Sequence, residues 1–254
     1  MPARSIPSAV LLTTALLAVP PAAPAQDLEM AADLGSVPQI FFAFDRPGLP
    51  VPRYELTIRR DGSAVYAGEE QPPTAGPVPD SRPGSSPASG SPPQPFRSEV
   101  GISPATAGRI FKLARDLKYF NIACASKARN MADTGRKTLS YTGADSTTSS
   151  CTYNYSENKD VQALTDIFQG IAETMNEGRK LDYLHRYDRL GLDAEITYLA
   201  QEVTEGRALE VGTIAASLRS IAADAEVIER VRARANSLLA LVPAGSMQAA
   251  PTQN

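Results

Sequence analysis

Apolar and polar residues alternate along one stretch of the chain: Tyr54, Leu56 and Ile58 fall between Glu55, Thr57 and Arg59. A period of two puts every second side chain on one face of a strand. Asp61-Gly62 follows, a dipeptide that accepts the positive φ angles of a tight turn, and Ala64, Val65 and Tyr66 lead back. The pattern predicts a β-hairpin over 54–70. Before it, Gln39-Ile40-Phe41-Phe42-Ala43-Phe44 predicts another strand, ended by a Pro47-Gly48 turn.

The period changes after residue 102. A strand over 96–102 runs into Ser103-Pro104, where Ser caps a helix and Pro suits its first turn. Ala107, Ile110, Phe111, Ala114 and Leu117 recur at spacings of three and four, the apolar face of that helix. Tyr119-Phe120 closes it onto the core and Asn121 stops it. Alternation returns over 137–142 and 150–156 around a Gly143-Ala144-Asp145 turn, a second hairpin with Tyr153 and Tyr155 on one face.

The rest reads as helical. From Asp160, Val161, Leu164, Ile167, Phe168, Ile171 and Met175 form an apolar stripe, with an interruption expected at Glu177-Gly178. Leu181, Leu184 and Leu190 mark a further segment ended by Gly191. Asp193 is read as the cap of the next, and Ile214, Leu218 and Ile221 mark another. Asp224 is read as the cap of the last, with Val227, Ile228, Val231, Ala235 and Leu238 inward.

The pattern fails in two places. Over 71–95 the chain is Pro, Gly, Ser and Ala with almost nothing to bury, which predicts a disordered insertion in a sheet connection. Near the start, Arg4, a short apolar run from Val10 to Val19, Pro20-Pro21 and Ala23-Pro24-Ala25 read as an export signal cleaved between Ala25 and Gln26. The expected organisation is a signal peptide over 1–25 and a flexible leader over 26–38. An α+β domain over 39–176, a helical region over 179–242 and a flexible tail over 243–254 complete it.

Composition narrows the chemistry. The 254 residues are 43% hydrophobic with no Trp and only 6% aromatic, which predicts a core mostly of Leu, Ile, Val and Ala. The formal net charge is −3, one unit more negative once Arg4 is removed, which argues against a dedicated nucleic-acid binder. His185 is the sole histidine and no Cys-x-x-Cys spacing occurs, so no metal-ligand set and no cofactor are expected. A Ser/His/Asp hydrolase would need His185 as its base, and no Gly-x-Ser-x-Gly elbow accompanies it. Neither a GxxxxGK nor a GxGxxG phosphate loop is present. Arg230, Arg232 and Arg234, with Arg219 upstream, read as a solvated helix face paired with Glu226 and Glu229. Glu69-Glu70 reads as a solvated strand end.

Cys124 and Cys151 are the two cysteines. Export to an oxidising compartment predicts a disulfide between them; two separately buried thiols are the alternative.

Tyr54, Leu56, Ile58, Asp61, Gly62 and Tyr66, with Leu117, Tyr119 and Phe120, carry a resemblance. A hairpin Y-x-L-x-I-x-x-D-G-x-x-x-Y, a strand, an S-P-opened helix ending in Tyr-Phe, a second hairpin and a helix resemble a bacterial family of small exported domains of unknown function. The likeness covers about 41–175 and implies no catalytic residues. The fold expected is α+β: an antiparallel sheet of two hairpins plus flanking strands packed on two helices, followed by a C-terminal helical bundle. The function expected is a non-catalytic binding or structural role in the bacterial envelope, periplasmic or secreted. Its partner would be an envelope protein or a small ligand, with no integral membrane segment after signal removal. A secreted or periplasmic hydrolase is the alternative.

Overall fold

A row of side chains at successive register positions shows how the sheet is built: Ser98, Tyr66, Leu56, Phe42, Leu139 and Cys151 stand side by side on six adjacent strands. The computed structural model describes residues 37–71, 92–128 and 130–242. The expected signal peptide with its Ala25/Gln26 cut, most of the leader and the insertion, and the C-terminal tail lie outside the described residues.

The strands are β1 (Gln39–Asp45), β2 (Arg53–Arg59), β3 (Ser63–Glu70), β4 (Gln94–Gly101), β5 (Arg136–Thr142) and β6 (Thr148–Tyr153). All pair antiparallel, in the order β4-β3-β2-β1-β5-β6. The expected α+β class is therefore found, with β1 central between the two hairpins. Alternation decides the faces: Ile40, Phe42 and Phe44, like Tyr54, Leu56 and Ile58, are buried, while Thr57 and Glu55 lie on the other face. Gln94 and Pro95, expected in the insertion, instead begin β4. Proline cannot donate to a ladder, and β4 is an edge strand, where that loss is tolerated.

Helix α1 (Pro104–Asp116) is capped by Ser103, whose Oγ accepts the Thr106 N–H at 3.3 Å. Its apolar face is the predicted one, with Ala107, Ile110, Phe111 and Ala114 buried. The chain then makes a short 3-10 turn, Lys118–Phe120, in which three successive residues have φ of 53°, 53° and 71°. Left-handed backbone costs L-residues about 1–2 kcal/mol each. The turn sends the Phe120 ring into the core and lays Tyr119 on Tyr141, ring centroids 4.2 Å apart.

Helix α2 (Lys159–Tyr187) runs 29 residues across the buried face of the sheet, where Phe168 stacks on Phe42 at 4.9 Å. The interruption expected at Glu177-Gly178 does not occur. Gly178 is a close packing point: a Cβ there would overlap the Ile214 side chain. Leu181 and Leu184 thus belong to α2, not to a separate helix. Then follow α3 (Leu192–Thr204), a 3-10 turn Val211–Ile214, α4 (Ala215–Ala223) and α5 (Glu229–Leu239). Asp193 lies inside the first turn of α3, whose cap position is Gly191, and Asp224 lies ahead of α5, whose cap position is Ile228. The C-terminal helices share one hydrophobic core with the sheet and α1, in which Leu192, Leu218 and Leu238 join Phe42 and Phe168. Glu210 reinforces the join by accepting the Ser103 N–H at 2.8 Å and the Ser103 hydroxyl at 2.7 Å.

Candidate functional site

Four polar residues of α2, Gln162, Thr165, Asp166 and Gln169, recur at helical spacing and so form one strip. They face the C-terminal end of β6 and the loop entering β5, and the space between them is a cleft of about 330 Å³. Ligand clefts of small molecules begin near this size.

The opposite wall is held by Lys137. On β5 it shares the inward face with Leu139, so the strand pattern buries its amine. Nζ donates to Asn154 O at 2.9 Å, Thr134 O at 3.0 Å, and Gly135 O and Thr134 Oγ1 at 3.1 Å. Its three protons are shared among four oxygens, and none remains for a further partner. Burial, with Arg46 nearby, lowers its pKa. The Asn154 side chain is also committed, accepting from Thr134 and donating to Ala132 O.

The floor and rim differ from this wall. Thr165 Oγ1 donates to Val161 O at 2.7 Å, so the Tyr153 hydroxyl is the donor across their 2.6 Å contact. Burial pushes the Tyr153 phenol up to about 12. Gln162 Nε2 donates to Ser156 O at 2.8 Å and to the Tyr155 hydroxyl at 3.1 Å. Its Oε1 has no donor among the described residues, and neither hydrogen bond nor ion pair engages Asp166 there. Tyr155 was expected on a strand face beside Tyr153. It lies past the end of β6 and is 43% exposed at the rim.

A larger cavity, about 460 Å³, opens between the 188–191 turn, α3 and the start of α5. Its charged groups are engaged with each other. Arg189 pairs with Glu226, and Asp193 takes Arg230 at 2.9 Å and Arg234 at 2.7 Å. The expected pairing of the arginine face with Glu226 and Glu229 therefore holds only for Arg232, which pairs with Glu229.

His185 is bound rather than free. Its Nε2 lies 2.8 Å from Asp224 Oδ2, and Arg189 completes the group 3.2 Å from the same oxygen. These contacts tie the end of α2 to the α4–α5 connection. Glu70 is not a bare solvated strand end: it pairs with Arg179, whose guanidinium lies 3.5 Å from the centroid of Phe96.

Sequence reasoning missed a carboxyl pair between α2 and α3. Glu177 is buried beside Glu195, whose carboxylate accepts from Lys180 Nζ at 2.6 Å. Burial, then Glu195, raises the Glu177 pKa far above the carboxylate range. Burial also opposes ionisation of Glu195, but the hydrogen bonds from Glu177 and Lys180 outweigh it and hold that carboxyl low. Two carboxyls this close hold one proton between them. Helix packing covers the pair, and neither residue lines either cavity.

The Cys124 and Cys151 sulfurs lie 1.94 Å apart with Cα atoms separated by 5.8 Å, within reach of a disulfide. Among the described residues, no group of three His, Cys, Asp or Glu could hold a metal ion, and no helix is long and apolar enough to cross a membrane. No protein-family model matches this chain, and no curated protein matches it.

Proposed function

We propose that the chain is an exported bacterial envelope protein, periplasmic or secreted, that binds a small ligand without transforming it. The observation that carries this reading is the cleft between the 162–169 strip of α2 and the Lys137 wall. Its rim offers Asp166 and Gln162 Oε1, which have no donors among the described residues, while Lys137, Asn154 and Thr165 are fixed by bonds within the protein. Fixed walls with a few open polar groups are what a binding site requires, since little ordering remains to be done when the ligand arrives.

Export is supported by Ala23-Pro24-Ala25 behind a short apolar run and by a cysteine pair at bonding distance. A hydrolase built on His185 is supported less well. Its Nε2 faces Asp224, and both cysteine sulfurs face each other.

The test is to express the full chain in a bacterium and recover it from the periplasm and the medium. Native mass spectrometry should show a protein beginning at Gln26 that carries a small molecule, and the molecule should be depleted from Asp166→Asn protein. Protein retained in the cytoplasm with an intact Met1 would overturn the export reading. A bound molecule unaffected by Asp166→Asn would overturn the cleft.

A further inference from the structure

We infer that the cleft ligand is a neutral polyhydroxylated ring, of the saccharide class. This rests on the reading of the cleft as the binding site. Its lining includes one cation, Lys137, and one anion, Asp166, and otherwise only uncharged residues. A cationic ligand reaching Asp166 would meet the Lys137 charge across the same small space. An anionic one would find a lysine whose protons are already held by four oxygens and would face Asp166 directly. A neutral ligand meets neither penalty.

The open polar groups specify the rest. Asp166 and Gln162 Oε1 accept hydrogen bonds and need donors. They stand one helical turn apart on α2, a spacing that suits two hydroxyls of one molecule. The Tyr155 hydroxyl accepts from Gln162 and keeps its own proton to donate, which a hydroxyl or ring oxygen can receive. Vicinal hydroxyls that both donate and accept match this set; an apolar ligand would leave Asp166 and Gln162 unanswered. The ring of Tyr155, a residue 43% exposed at the rim, adds a flat apolar surface for the C–H face of a sugar ring. A volume of about 330 Å³ fits one or two rings and excludes a long chain lying wholly inside.

The test is saturation-transfer NMR on the mature protein with four probes used singly. These are methyl glucoside and N-acetylglucosamine as neutral rings, glucosamine as a cation and glucuronate as an anion. At least one neutral ring should show transfer, and its affinity should fall roughly tenfold or more in Asp166→Asn and in Gln162→Ala, the loss expected for a hydrogen bond to a charged or desolvated acceptor. Tyr155→Leu, which removes both the hydroxyl and the flat ring, should weaken it as well. Transfer to glucosamine or glucuronate that depends on Asp166, with none to the neutral rings, would overturn the ligand class and leave the cleft standing. Transfer to none of the four would also overturn the ligand class. Neutral-ring transfer unchanged in all three variants would place the sugar elsewhere and overturn the cleft with it.

Discussion

Lys137 Nζ donates to the Asn154 carbonyl oxygen at 2.9 Å, joining the start of β5 to the residue that follows β6. Both ends of the second hairpin are thereby held to one point, and that point is the back wall of the cleft. Lys137→Met keeps the side-chain length and removes the donor. Leaving a buried acceptor unpaired costs about 1–3 kcal/mol, so the variant should unfold at lower denaturant. Amide hydrogen exchange should accelerate around 133–135 and 154. Unchanged exchange there would show that the lysine is not what holds the wall.

Glu177 gives a pH dependence with a definite sign. Its folded-state pKa lies above its unfolded value, chiefly through burial, so the folded state binds more protons through the interval between them. Stability is then lost as pH rises from the ordinary carboxyl range towards about 9. Glu177→Gln keeps a hydrogen-bond donor for Glu195 without a proton to lose. The variant should match wild type in mild acid and exceed it by about 1–3 kcal/mol in mild alkali. Equal denaturant midpoints across that range would contradict the shared proton.

Gly178 and Gly108 form an internal control. Glycine to alanine in an exposed helix position stabilises by about 0.5–1 kcal/mol, and a Cβ at Gly108 meets nothing within 4 Å. At Gly178 the added carbon overlaps Ile214, whose branched side chain is buried in the core. Gly108→Ala should raise the Tm. Gly178→Ala should lower it by the equivalent of about 1–3 kcal/mol, the usual cost of overpacking. Two increases would mean that the 3-10 turn at Ile214 does not press on α2.

The cysteines should form one intramolecular bond. Unfolded, unreduced protein should titrate no free thiol. With a separation of 27 residues, Cys124→Ser should lower stability by about 3 kcal/mol on the chain-entropy account. Two titratable thiols per chain would refute the bond.

The sheet was legible because its signal is short-range. Ile40, Phe42 and Phe44, or Tyr54, Leu56 and Ile58, declare their face by alternation alone. The uninterrupted α2 was not, because glycine weakens a helix locally and the compensating contact, Ile214, comes from 36 positions downstream. Asp193 and Asp224 have the chemistry of caps but bind Arg230, Arg234 and His185, partners set by tertiary packing. Two features of the cleft stand in the sequence itself. Lys137 stands in phase with Leu139, a lysine on the inward face of a strand. Gln162, Thr165, Asp166 and Gln169 form a polar strip beside the apolar stripe of the same helix. Each reads as ordinary surface until the fold brings β5, β6 and α2 together.

The most direct measurement is NMR titration of isotope-labelled protein with the neutral ring, methyl glucoside or N-acetylglucosamine, that shows saturation transfer, following side-chain and backbone amides together. The account predicts saturable shifts at the Gln162 and Asn154 side-chain amides and around Asp166, with the 188–194 and 226–230 segments unmoved. Shifts gathered instead around Arg189, Leu190 and Ile228, or none at any of these positions at saturating sugar, would contradict it.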